Sequence, residues 1–579
     1  MGYDILFIHP PSVYDFRKRA FFPGPVDVTV PIYTHQFIMF PVGLISIAEY
    51  LERHGYKVKI FNLGEQMLAD PTFDAEKYIS KTESTVYAID LHWCVHSQGA
   101  IEVARICKKH HPNSFVVLGG LTATRFHDEI IRGYWFIDGV LRGEAEEPTL
   151  RLLENLEKHK RLKETPNLTY RDRSGRVRVN PLQAVCNDLD RWEFTRLDLV
   201  TPNNLLLSFS NEEKTWNLPI CRGCIYNCVS CGGSRYSYKK LFGREKPAFR
   251  SPFRIVEDLQ VLREQGIRHI FLFQDPRIGG KRYWRMLTRS IRRENMDDLS
   301  LLFELFSPAD KEFLKSFSRL GAETGFTISP ESGVESVRKA HGRNYSNEQL
   351  LRTVKNCLEC KLTLSVFFMI GLAKQTRNTL RETYKLCEDI CRMNLHSELY
   401  GRNFNVWVSF GPMILLDPGS LAFDYPEKYG YRLIFKKFKD YYLAMSKPAW
   451  HQWISYETRF LTRRDIFDLI LQSGIFMVRI KEKYHPYFHR GLEPDPLELA
   501  ELNLTLFNIL SNEFIAEEVD YISKIEDPQE KERRLKALND ALLELNTLYP
   551  STRGMADPYG YRRALESILQ RSAGLMTGD

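Results

Sequence analysis

The sequence lacks long hydrophobic runs, tandem repeats and low-complexity segments. No stretch is apolar enough, for long enough, to cross a bilayer, so no transmembrane segment is expected. The first residues do not place an apolar core behind a basic region, and Leu6 stands where a myristoylation signal needs serine or threonine. These absences argue against an integral membrane protein and predict a cytoplasmic one.

A strong charge of either sign is also missing. The 579 residues contain 80 Lys and Arg against 73 Asp and Glu, a formal charge of +7, which gives no clear nucleic-acid signal. Apolar residues make up 43% and charged residues 26%, as in ordinary globular proteins, and the length predicts two to four domains. The chain has 11 cysteines, and a disulfide framework is not expected in the cytoplasm.

The clearest motif is a group of closely spaced cysteines. Cys224, Cys228 and Cys231 form a Cys-x3-Cys-x2-Cys motif, with Cys221 shortly before it. Three such thiolates can each bind one iron of a 4Fe–4S cubane and leave the fourth iron open. A structural zinc would need a further ligand pair, and a fourth cysteine ligand, Cys221, would belong to no spacing motif. The spacing resembles that of the radical S-adenosylmethionine (SAM) superfamily, in which SAM chelates the open iron and is cleaved to a 5′-deoxyadenosyl radical.

The chain after the cysteines has the rhythm of a barrel. Counting the strand before the motif, six βα-like units reach residue 413, with helix caps at Ser251-Pro252, Ser307-Pro308 and Ser346. The resemblance implies a partial (β/α)6 barrel with active residues at the carboxyl ends of its strands. Glu304 lies in the third strand, and any one such polar residue could instead be a cap or a buried hydrogen-bond partner. The SAM contacts that the resemblance implies are Tyr226, Gln274, Asp275, Ser329, Glu331, Arg343 and Gly371.

The first 157 residues alternate short apolar strands with amphipathic helices. This alternation predicts a doubly wound parallel sheet of five strands, whose ligand binds beyond the strands' carboxyl ends. No Gly-x-Gly-x-x-Gly follows the first strand, so a dinucleotide is not favoured. The strands are predicted near 4–9, 56–61, 86–91, 115–118 and 136–141, and the helices at 42–54, 97–110 and 146–157.

Short motifs at these strand ends resemble a known family. Pro10-Pro11, Pro41 to Ile45, Val117 to Gly120 and Asp138 to Glu144 are similar to the cobalamin-binding domain that precedes the barrel in many radical SAM enzymes. From the residues alone, the glycines could equally be turn residues. The Asp-x-His-x-x-Gly motif of proteins with a histidine cobalt ligand is missing, so no such ligand is assigned. The cobalamin contacts that the resemblance implies are Pro11, Gly43, Trp93, Gly119, Gly120, Gly143 and Glu144.

The remaining chain is divided around these two domains. Residues 158–204 have little periodicity and are expected to be an inter-domain linker, with a small hairpin around Ser174-Gly175. The N-terminal domain is expected to span 1–157 and the barrel 205–425. Residues 426–579 are expected to form a mostly helical C-terminal region whose aromatic residues are core.

Four further cysteines lie near the ends of two predicted barrel helices: Cys357, Cys360, Cys387 and Cys391. A second cluster or a zinc site there is conceivable. Because cysteine is among the most frequently buried residue types, packing in the core is the expected role.

Three functions fit these observations. The leading hypothesis is a cobalamin-dependent radical SAM methyltransferase that methylates an unactivated carbon, with a 4Fe–4S cluster, SAM and cobalamin as cofactors. The second is a radical SAM enzyme for cyclisation, oxidation or carbon–carbon coupling, on a substrate such as a lipid. The third is a non-catalytic iron–sulfur carrier or sensor. An enzyme would need a reductant such as ferredoxin or flavodoxin, and the sequence does not choose among small-molecule, lipid and peptide substrates.

Overall fold

The computed structural model of the chain describes residues 2–20, 39–158, 162–202, 208–210, 213–395, 406–488 and 512–548, together with residues 509 and 567. Its first sheet contains eight strands: β1 (Tyr3–His9), β2 (Val58–Asn62), β3 (Ser84–Asp90), β4 (Phe115–Gly119), β5 (Gly139–Leu141), β6 (Leu168–Arg171), β7 (Val177–Val179) and β8 (Val200–Thr201). Their order across the sheet is β7-β6-β5-β4-β3-β1-β2-β8.

The helices of this domain follow its strands: α1 (Gly43–Arg53), α2 (Leu63–Ala69), α3 (Ala75–Lys81), α4 (Ser97–His110), α5 (Leu121–Arg125), α6 (His127–Gly133) and α7 (Glu146–Glu157). Strands β1 to β5 are all parallel, which confirms the doubly wound sheet. Strand β1 has a parallel neighbour on each side, β2 and β3. The direction in which successive strands are added to the sheet therefore reverses between β1 and β3. The ends of these two strands therefore form the switch point where ligands of such sheets bind.

Residues 158–204, which were expected to form a linker, contribute three strands to the first sheet. Strands β6 and β7 form the predicted hairpin, but the hairpin pairs antiparallel with β5, and β8 pairs with β2 at the opposite edge. The segment thus covers both edges of the parallel sheet, where unpaired backbone groups would otherwise be exposed. These strands are too short for a periodic pattern to reveal them in the sequence.

The second sheet is the partial barrel. Its region contains β9 (Ser208–Ser210), β10 (Glu213–Pro219), β11 (Cys221–Arg222), β12 (Ala248–Phe249), β13 (His269–Phe273), β14 (Ser300–Leu305), β15 (Glu323–Glu331), β16 (Thr363–Ile370) and β17 (Val406–Pro412). The seven-stranded sheet has the order β17-β16-β15-β14-β13-β10-β9. Six of its strands are parallel and β9 is antiparallel to β10, which confirms the six-unit partial barrel.

The barrel helices are α8 (Arg235–Ser237), α9 (Pro252–Glu264), α10 (Lys281–Arg293), α11 (Lys311–Phe317), α12 (Glu335–Ala340), α13 (Asn347–Glu359) and α14 (Arg377–Leu395). The predicted caps of α9 and α13 are present, the second as a complete capping box. The predicted cap at Ser307-Pro308 is wrong. Helix α11 begins after Asp310, whose side chain accepts from Phe313 N, whereas the carbonyls of Ser307 and Pro308 bind Arg277.

The described part of the C-terminal region joins the two domains. It contains α15 (Leu421–Asp424), α16 (Pro426–Tyr429), β18 (Tyr431–Leu433), α17 (Phe438–Ala444), β19 (Tyr456–Thr458), α18 (Arg463–Phe488), a helical stretch at 512–524 and α19 (Pro528–Leu548). Helix α17 binds the N-terminal domain, since Phe438 N donates to Glu129 at 2.8 Å and the Tyr442 hydroxyl donates to Glu102 at 2.5 Å. Among the described helices, none is both long and apolar enough to span a membrane.

Gly99 in α4 offers a test of how this domain packs. A Cβ at Gly99 would lie 1.7 Å from Pro11 O, so Gly99→Ala should push the helix off the first strand and destabilise the fold by about 1–3 kcal/mol. Gly133→Ala is the matched control, because no atom lies within 4 Å of its Cβ position. We expect thermal unfolding to occur at a lower temperature in Gly99→Ala only. Equal unfolding temperatures in both variants would contradict this packing.

Candidate active site

The three motif cysteines lie on a loop at the carboxyl end of the partial barrel. This loop, residues 222–234, is called the cluster loop here and follows β11, just beyond β10. Cys228 is buried, Cys224 is half-buried and Cys231 is exposed. Backbone N–H groups already point at two of the sulfurs, with Tyr226 N 3.4 Å from the Sγ of Cys224 and Gly233 N 3.3 Å from the Sγ of Cys231. Such donors suit thiolates that carry negative charge.

The cluster loop is held from two sides of the barrel. Val229 N donates to His341 O at 3.2 Å, and Gly232 N donates to a carboxylate oxygen of Asp417 at 2.8 Å. A Cβ on Gly342, where φ is +89°, would approach Asn227 O to 2.9 Å, so the two backbones lie in close contact. These contacts fix the loop without using the thiols, which leaves the sulfurs available for a cluster.

Gln274 and Glu304 lie side by side at the ends of β13 and β14. Gln274 has a φ of +94°, and its N–H donates to the carboxylate of Glu304. Burial, followed by the charge of Asp275, raises the pKa of Glu304 from 4.5 to about 7. The side-chain Oε1 of Gln274 is buried and has no protein partner. A buried acceptor without a partner costs free energy unless a ligand supplies a donor, so Gln274 fits its predicted contact with SAM.

Asp275 differs from Gln274 because its carboxylate already accepts hydrogen bonds from the protein. One oxygen accepts from Arg277 N at 2.9 Å, and the other accepts from Phe306 N at 2.8 Å and pairs with the Arg277 guanidinium at 2.6 Å. The side chain is buried within these bonds. Asp275 therefore fixes the rim between β13 and β14. Both of its carboxylate oxygens are bonded within the protein, and its direct contact with SAM stays a prediction.

Glu331 and Arg343 form an ion pair at the end of β15. The pairing of β15 with β16 shifts between Ile328 and Glu331, which places Ser329 in a bulge and Glu331 at a φ of +67°. Arg343 Nε donates to Glu331 Oε1 at 3.1 Å, while Glu331 Oε2 is buried without a protein partner. Like Gln274, Glu331 thus presents an unused acceptor at the rim, as its predicted role in SAM binding requires.

Arg343 also acts on the cluster loop. Burial disfavours its charge, but Glu331 and Cys228 more than compensate and raise the pKa of the guanidinium. In turn, burial raises the pKa of the Cys228 thiol, and the positive charge of Arg343 opposes that effect. A permanent positive charge beside the loop favours the thiolate form, which is the form that binds iron.

The last two predicted SAM residues are placed at the same rim. The ring of Tyr226 lies edge-on to Phe306 with centroids 6.1 Å apart. Gly371 has a φ of +98°, and a Cβ there would lie 2.1 Å from the Tyr456 hydroxyl, which donates to Gly371 O at 2.9 Å. Only glycine therefore fits at this position, and the close neighbour is the C-terminal region rather than open space.

A cavity of about 480 Å³ lies between the rims of the two sheets. From the first sheet it is lined by six of the seven residues predicted to contact cobalamin: Gly43, Trp93, Gly119, Gly120, Gly143 and Glu144. No atom lies within 4 Å of a Cβ on Gly43, and only Leu141 O, at 3.8 Å, lies near one on Gly119. A flat ligand could approach the backbone at both glycines, so the cavity fits a corrin ring.

Pro11 is the exception among these seven. It does not line the cavity, because it is buried at the N-terminal part of α4, where its backbone packs against Gly99 and Gly64. Pro11 therefore does not line this cavity, and its contact with cobalamin stays a prediction. His92 lines the cavity beside Trp93, and His9 is instead bonded to Asp90 at 3.0 Å.

The barrel supplies the opposite wall of the same cavity. Asn217 and Pro219 of β10 and Phe271 and Phe273 of β13 line it, together with Arg222 from the cluster loop. The sequence analysis did not select these residues. The alternation of residues along β13 could have pointed to its two phenylalanines, because the inward positions of a barrel strand recur every second residue.

Buried ion pairs connect the two walls. Arg222 binds the carboxylate of Glu146, which also accepts from the Ser46 hydroxyl at 2.8 Å. Although burial favours the neutral acid, the Arg222 guanidinium lowers the pKa of Glu146. Arg244 Nε donates to Glu144 at 2.7 Å, so this predicted cobalamin residue lines the cavity with its carboxylate already paired. These contacts fix the cluster loop against the N-terminal domain.

Most of the other cysteines are buried in the described structure. All 11 cysteines are free, and Cys357, Cys360 and Cys387 are buried, as the packing interpretation predicts. Within the described ranges, no three Cys, His, Asp or Glu side chains are arranged around a single metal ion. A cubane differs from a single ion because each of its irons takes one thiolate, so this finding does not bear on the cluster loop.

A cysteine loop at the rim of a partial barrel, facing an α/β domain across one cavity, defines the class of radical SAM enzymes with a cobalamin-binding domain. Two family models match the chain accordingly. The model of the radical SAM superfamily matches residues 218–387, and the model of the B12 binding domain matches residues 28–153. The chain therefore carries a radical SAM domain, preceded by a B12-binding domain. The cofactors of this combination are a 4Fe–4S cluster, SAM and cobalamin.

Curated relatives are distant and of several kinds. An uncharacterized methyltransferase of Pyrococcus horikoshii is 26% identical over 393 residues, which are 67% of this chain and 78% of that protein. An anaerobic magnesium-protoporphyrin IX monomethyl ester cyclase of Rubrivivax gelatinosus is 23% identical over 60% of this chain and 62% of its own length. A hopanoid C-3 methylase of Methylococcus capsulatus is 24% identical over 56% of this chain and 61% of its own length.

Solved structures agree on the fold. The cobalamin-dependent SAM radical enzyme OxsB aligns over 99% of this chain and 83% of its own with a TM-score of 0.56 at 16% identity. The radical SAM methyltransferase TsrM from Kitasatospora setae, solved with cobalamin and a 4Fe–4S cluster bound, aligns over 74% and 78% with a TM-score of 0.52 at 15% identity. At such identities the likeness establishes the arrangement of domains.

The role of the cysteines can be tested by iron analysis. After anaerobic reconstitution, we expect alanine at Cys224, Cys228 or Cys231 to lose most cluster iron, because each removes one of three ligands. Cys221→Ala is the matched control, since Cys221 is buried at the end of its strand and its Sγ lies 3.5 Å from Gly223 O. It should retain a full complement of iron. Loss of iron in Cys221→Ala as well would show that the motif alone does not hold the cluster.

The raised pKa of Glu304 predicts a pH-dependent effect on stability. A carboxyl whose pKa is higher in the folded state than its usual 4.5 lowers stability as the pH rises from about 4.5 to about 7. Glu304→Gln removes this cost, so in protein without SAM the variant should melt about 2–4 °C above wild type at pH 8 and level with it at pH 5. The exposed Glu323→Gln is the control and should show no such trend. A constant difference across this range would contradict the burial of Glu304.

Proposed function

We propose that this protein is a cobalamin-dependent radical SAM methyltransferase that transfers a methyl group to an unactivated carbon. The observation that supports this most is the single cavity bounded by the rims of both sheets. Residues at the ends of β3 and β4 form one wall, and residues of β10 and β13 form the other. A methyl donor bound at one wall and a hydrogen-abstracting group at the other would act on one substrate between them.

The residues present fit the three cofactors. Three thiols, two of which have backbone N–H donors, suit a cluster. Two unused buried acceptors on Gln274 and Glu331 suit the ammonium and hydroxyl groups of SAM, and the bare backbone at Gly43 and Gly119 suits a corrin. When bound, the cluster and SAM supply a 5′-deoxyadenosyl radical that removes hydrogen, and cobalamin supplies the methyl group. The relatives named as methyltransferases support the same reaction.

The protein's own part in this reaction is positioning and exclusion of water. Arg343 holds Glu331 in place and keeps positive charge beside the thiolates. Asp275 and Arg277 fix the turn that carries Gln274. The largely apolar walls of the cavity keep water from a radical, which would otherwise be quenched.

We further propose that a ferredoxin or flavodoxin delivers the electron at the cluster loop. Cys231 is exposed, and Ile225 on the same loop is 47% exposed. An exposed apolar side chain beside a cluster is a plausible contact for a redox partner, whose complexes are small and transient. The basic residues Arg235 and Lys239 follow the loop and suit an acidic protein.

The proposed reaction can be tested before the substrate is known. Reduced, reconstituted protein should convert SAM into two products, S-adenosylhomocysteine from methyl transfer and 5′-deoxyadenosine from radical formation. Gly119→Leu would fill the open space beside Leu141 and should lose cobalt and S-adenosylhomocysteine while it retains iron and 5′-deoxyadenosine. Cys224→Ala should show the reverse pattern.

Two outcomes would contradict the proposal. Formation of 5′-deoxyadenosine alone, with no bound cobalt in wild type, would favour a radical enzyme that does not methylate. Absence of both products in protein with full iron and cobalt content would favour a carrier.

A further inference from the structure

The inner face of the partial barrel carries a regular row of half-buried side chains. Along β13, β14 and β16, buried and half-buried residues alternate without interruption. The buried ones face the helices, as Phe303 shows by packing against Phe317 of α11 with ring centroids 4.9 Å apart. The half-buried ones therefore face the barrel interior: His269, Phe271, Phe273, Ser300, Leu302, Glu304, Thr363, Ser365, Phe367 and Met369. In a full barrel such positions are packed against each other, whereas here Phe271 and Phe273 also line the cavity between the two sheets.

Much of this inner face is apolar surface that the described part of the chain leaves partly exposed. The buried hydrophobic core joins the described parts of both domains, and Met369 packs against it. Four other large side chains of the inner face do not belong to that core or pack against it: Phe271, Phe273, Leu302 and Phe367. Leaving several large apolar side chains half-exposed costs stability, at about 25 cal/mol for each Å². A ligand that covers them would recover that free energy.

The inner face is also almost free of charge. Of its ten positions on these three strands, Glu304 alone carries a carboxyl, and burial raises its pKa to about 7, so it is largely uncharged just below neutrality. Ser300, Thr363 and Ser365 contribute only neutral hydroxyls. An ionic substrate would find few charged partners on this face, and the cost of its desolvation would not be repaid.

The apolar surface reaches the cofactor cavity. Phe271 and Phe273 belong both to the inner face and to the lining of the cavity between the two sheets. Leu302 is the register partner of Phe271 on the next strand, so the same wall continues across the barrel. A molecule lying on these side chains would present its carbon atoms to the region between the SAM and cobalamin sites.

We propose that the substrate carries a neutral hydrocarbon body that lies on this inner face, as an isoprenoid or other lipid does. The inference rests on the proposed function, because it assigns the surface to the substrate of that reaction. Phe271, Leu302 and Phe367 provide the contact surface, and Glu304 is the carboxyl on these three strands that a polar group of the substrate would meet. Charged peptides and nucleotides are not expected to bind here.

Equilibrium dialysis of the reconstituted enzyme with SAM can test the proposal without turnover. Radiolabelled geraniol, a small neutral isoprenoid alcohol, serves as the probe, and cytidine serves as a polar probe of similar size. Geraniol should bind saturably at about one site per chain, and cytidine should not bind measurably. Failure of geraniol to saturate in wild type, or tighter binding of cytidine, would overturn the proposal.

Variants locate the binding site. Leu302→Asn and Phe367→Asn should weaken geraniol binding about tenfold or more, with unchanged iron and cobalt, because neither residue lines the cobalamin cavity. Trp135→Asn is the control, since Trp135 is 76% exposed on the N-terminal domain, and its binding should equal that of wild type. Should the asparagine variants lose their cofactors, Leu302→Ala and Phe367→Leu replace them. Undiminished geraniol binding in folded variants of Leu302 and Phe367 would overturn the proposal.

The two proposals can fail separately. Geraniol binding with no 5′-deoxyadenosine and no S-adenosylhomocysteine would leave the apolar site standing and defeat the reaction. Both products without saturable geraniol binding would leave the reaction standing and defeat the substrate class.

Discussion

Arg222 and Arg244 reach from the barrel side into the N-terminal domain, where they meet Glu146 and Glu144. Three of these four side chains are almost completely buried, and Arg222 is nearly so. Charges removed from water in this way are favourable only while each keeps its partner, and loss of one partner typically costs about 3–5 kcal/mol. Such pairs add little net stability, but they permit only one relative placement of the groups that carry them.

The relative placement of the two domains determines which residues line the cavity between them. Arg222 follows Cys221 in the chain, so the ion pairs fix the start of the cluster loop to the start of α7. The rims of two separately folded sheets are thereby brought to opposite walls of one cavity of about 480 Å³. Two cofactors that would be independent on separate domains become neighbours across this interface, which the shared hydrophobic core also holds together.

The sequence predicted the parts of this fold whose hydrophobic pattern is long and regular. Helix α4 has the predicted bounds of 97–110, since its amphipathic pattern extends over several turns. The strands β7 and β8 were not predicted as parts of the sheet, because three and two residues carry no period. The domain boundaries that were inferred beside them remain predictions.

The sequence predicts the parts of the site whose chemistry depends on the spacing of residues along the chain. It does not predict the parts that depend on which side chains bond to each other in the folded protein. Cys224, Cys228 and Cys231 needed only their order in the chain. Asp275 and Gln274 are adjacent and equally polar, yet one carboxylate is used by Phe306 N and Arg277, while the other side chain keeps a free oxygen. Which of two neighbours faces the ligand depends on residues some thirty positions away, which a single sequence does not reveal.

Strained backbone at the barrel rim also occurs at residues that keep an unused acceptor. Gln274 and Glu331 adopt positive φ angles that are unfavourable for residues with side chains, and both have a buried, unused acceptor. At Gly371 a comparable angle is relieved by the absence of a side chain. Each of the two residues keeps one bond within the described structure, Gln274 to Glu304 and Glu331 to Arg343, and a ligand is the natural partner of the unused acceptors.

One physical property then connects the carboxyl of Glu304 with the apolar inner face. The pKa of Glu304 is raised chiefly because burial removes water from its carboxyl, and the same low polarity leaves Phe271 and Leu302 as the surface a ligand would meet. A hydrocarbon that covered these side chains would exclude still more water and raise the pKa further. A charged ligand would need the opposite surroundings. The titration of one acid and the choice of substrate are therefore two consequences of the same low polarity.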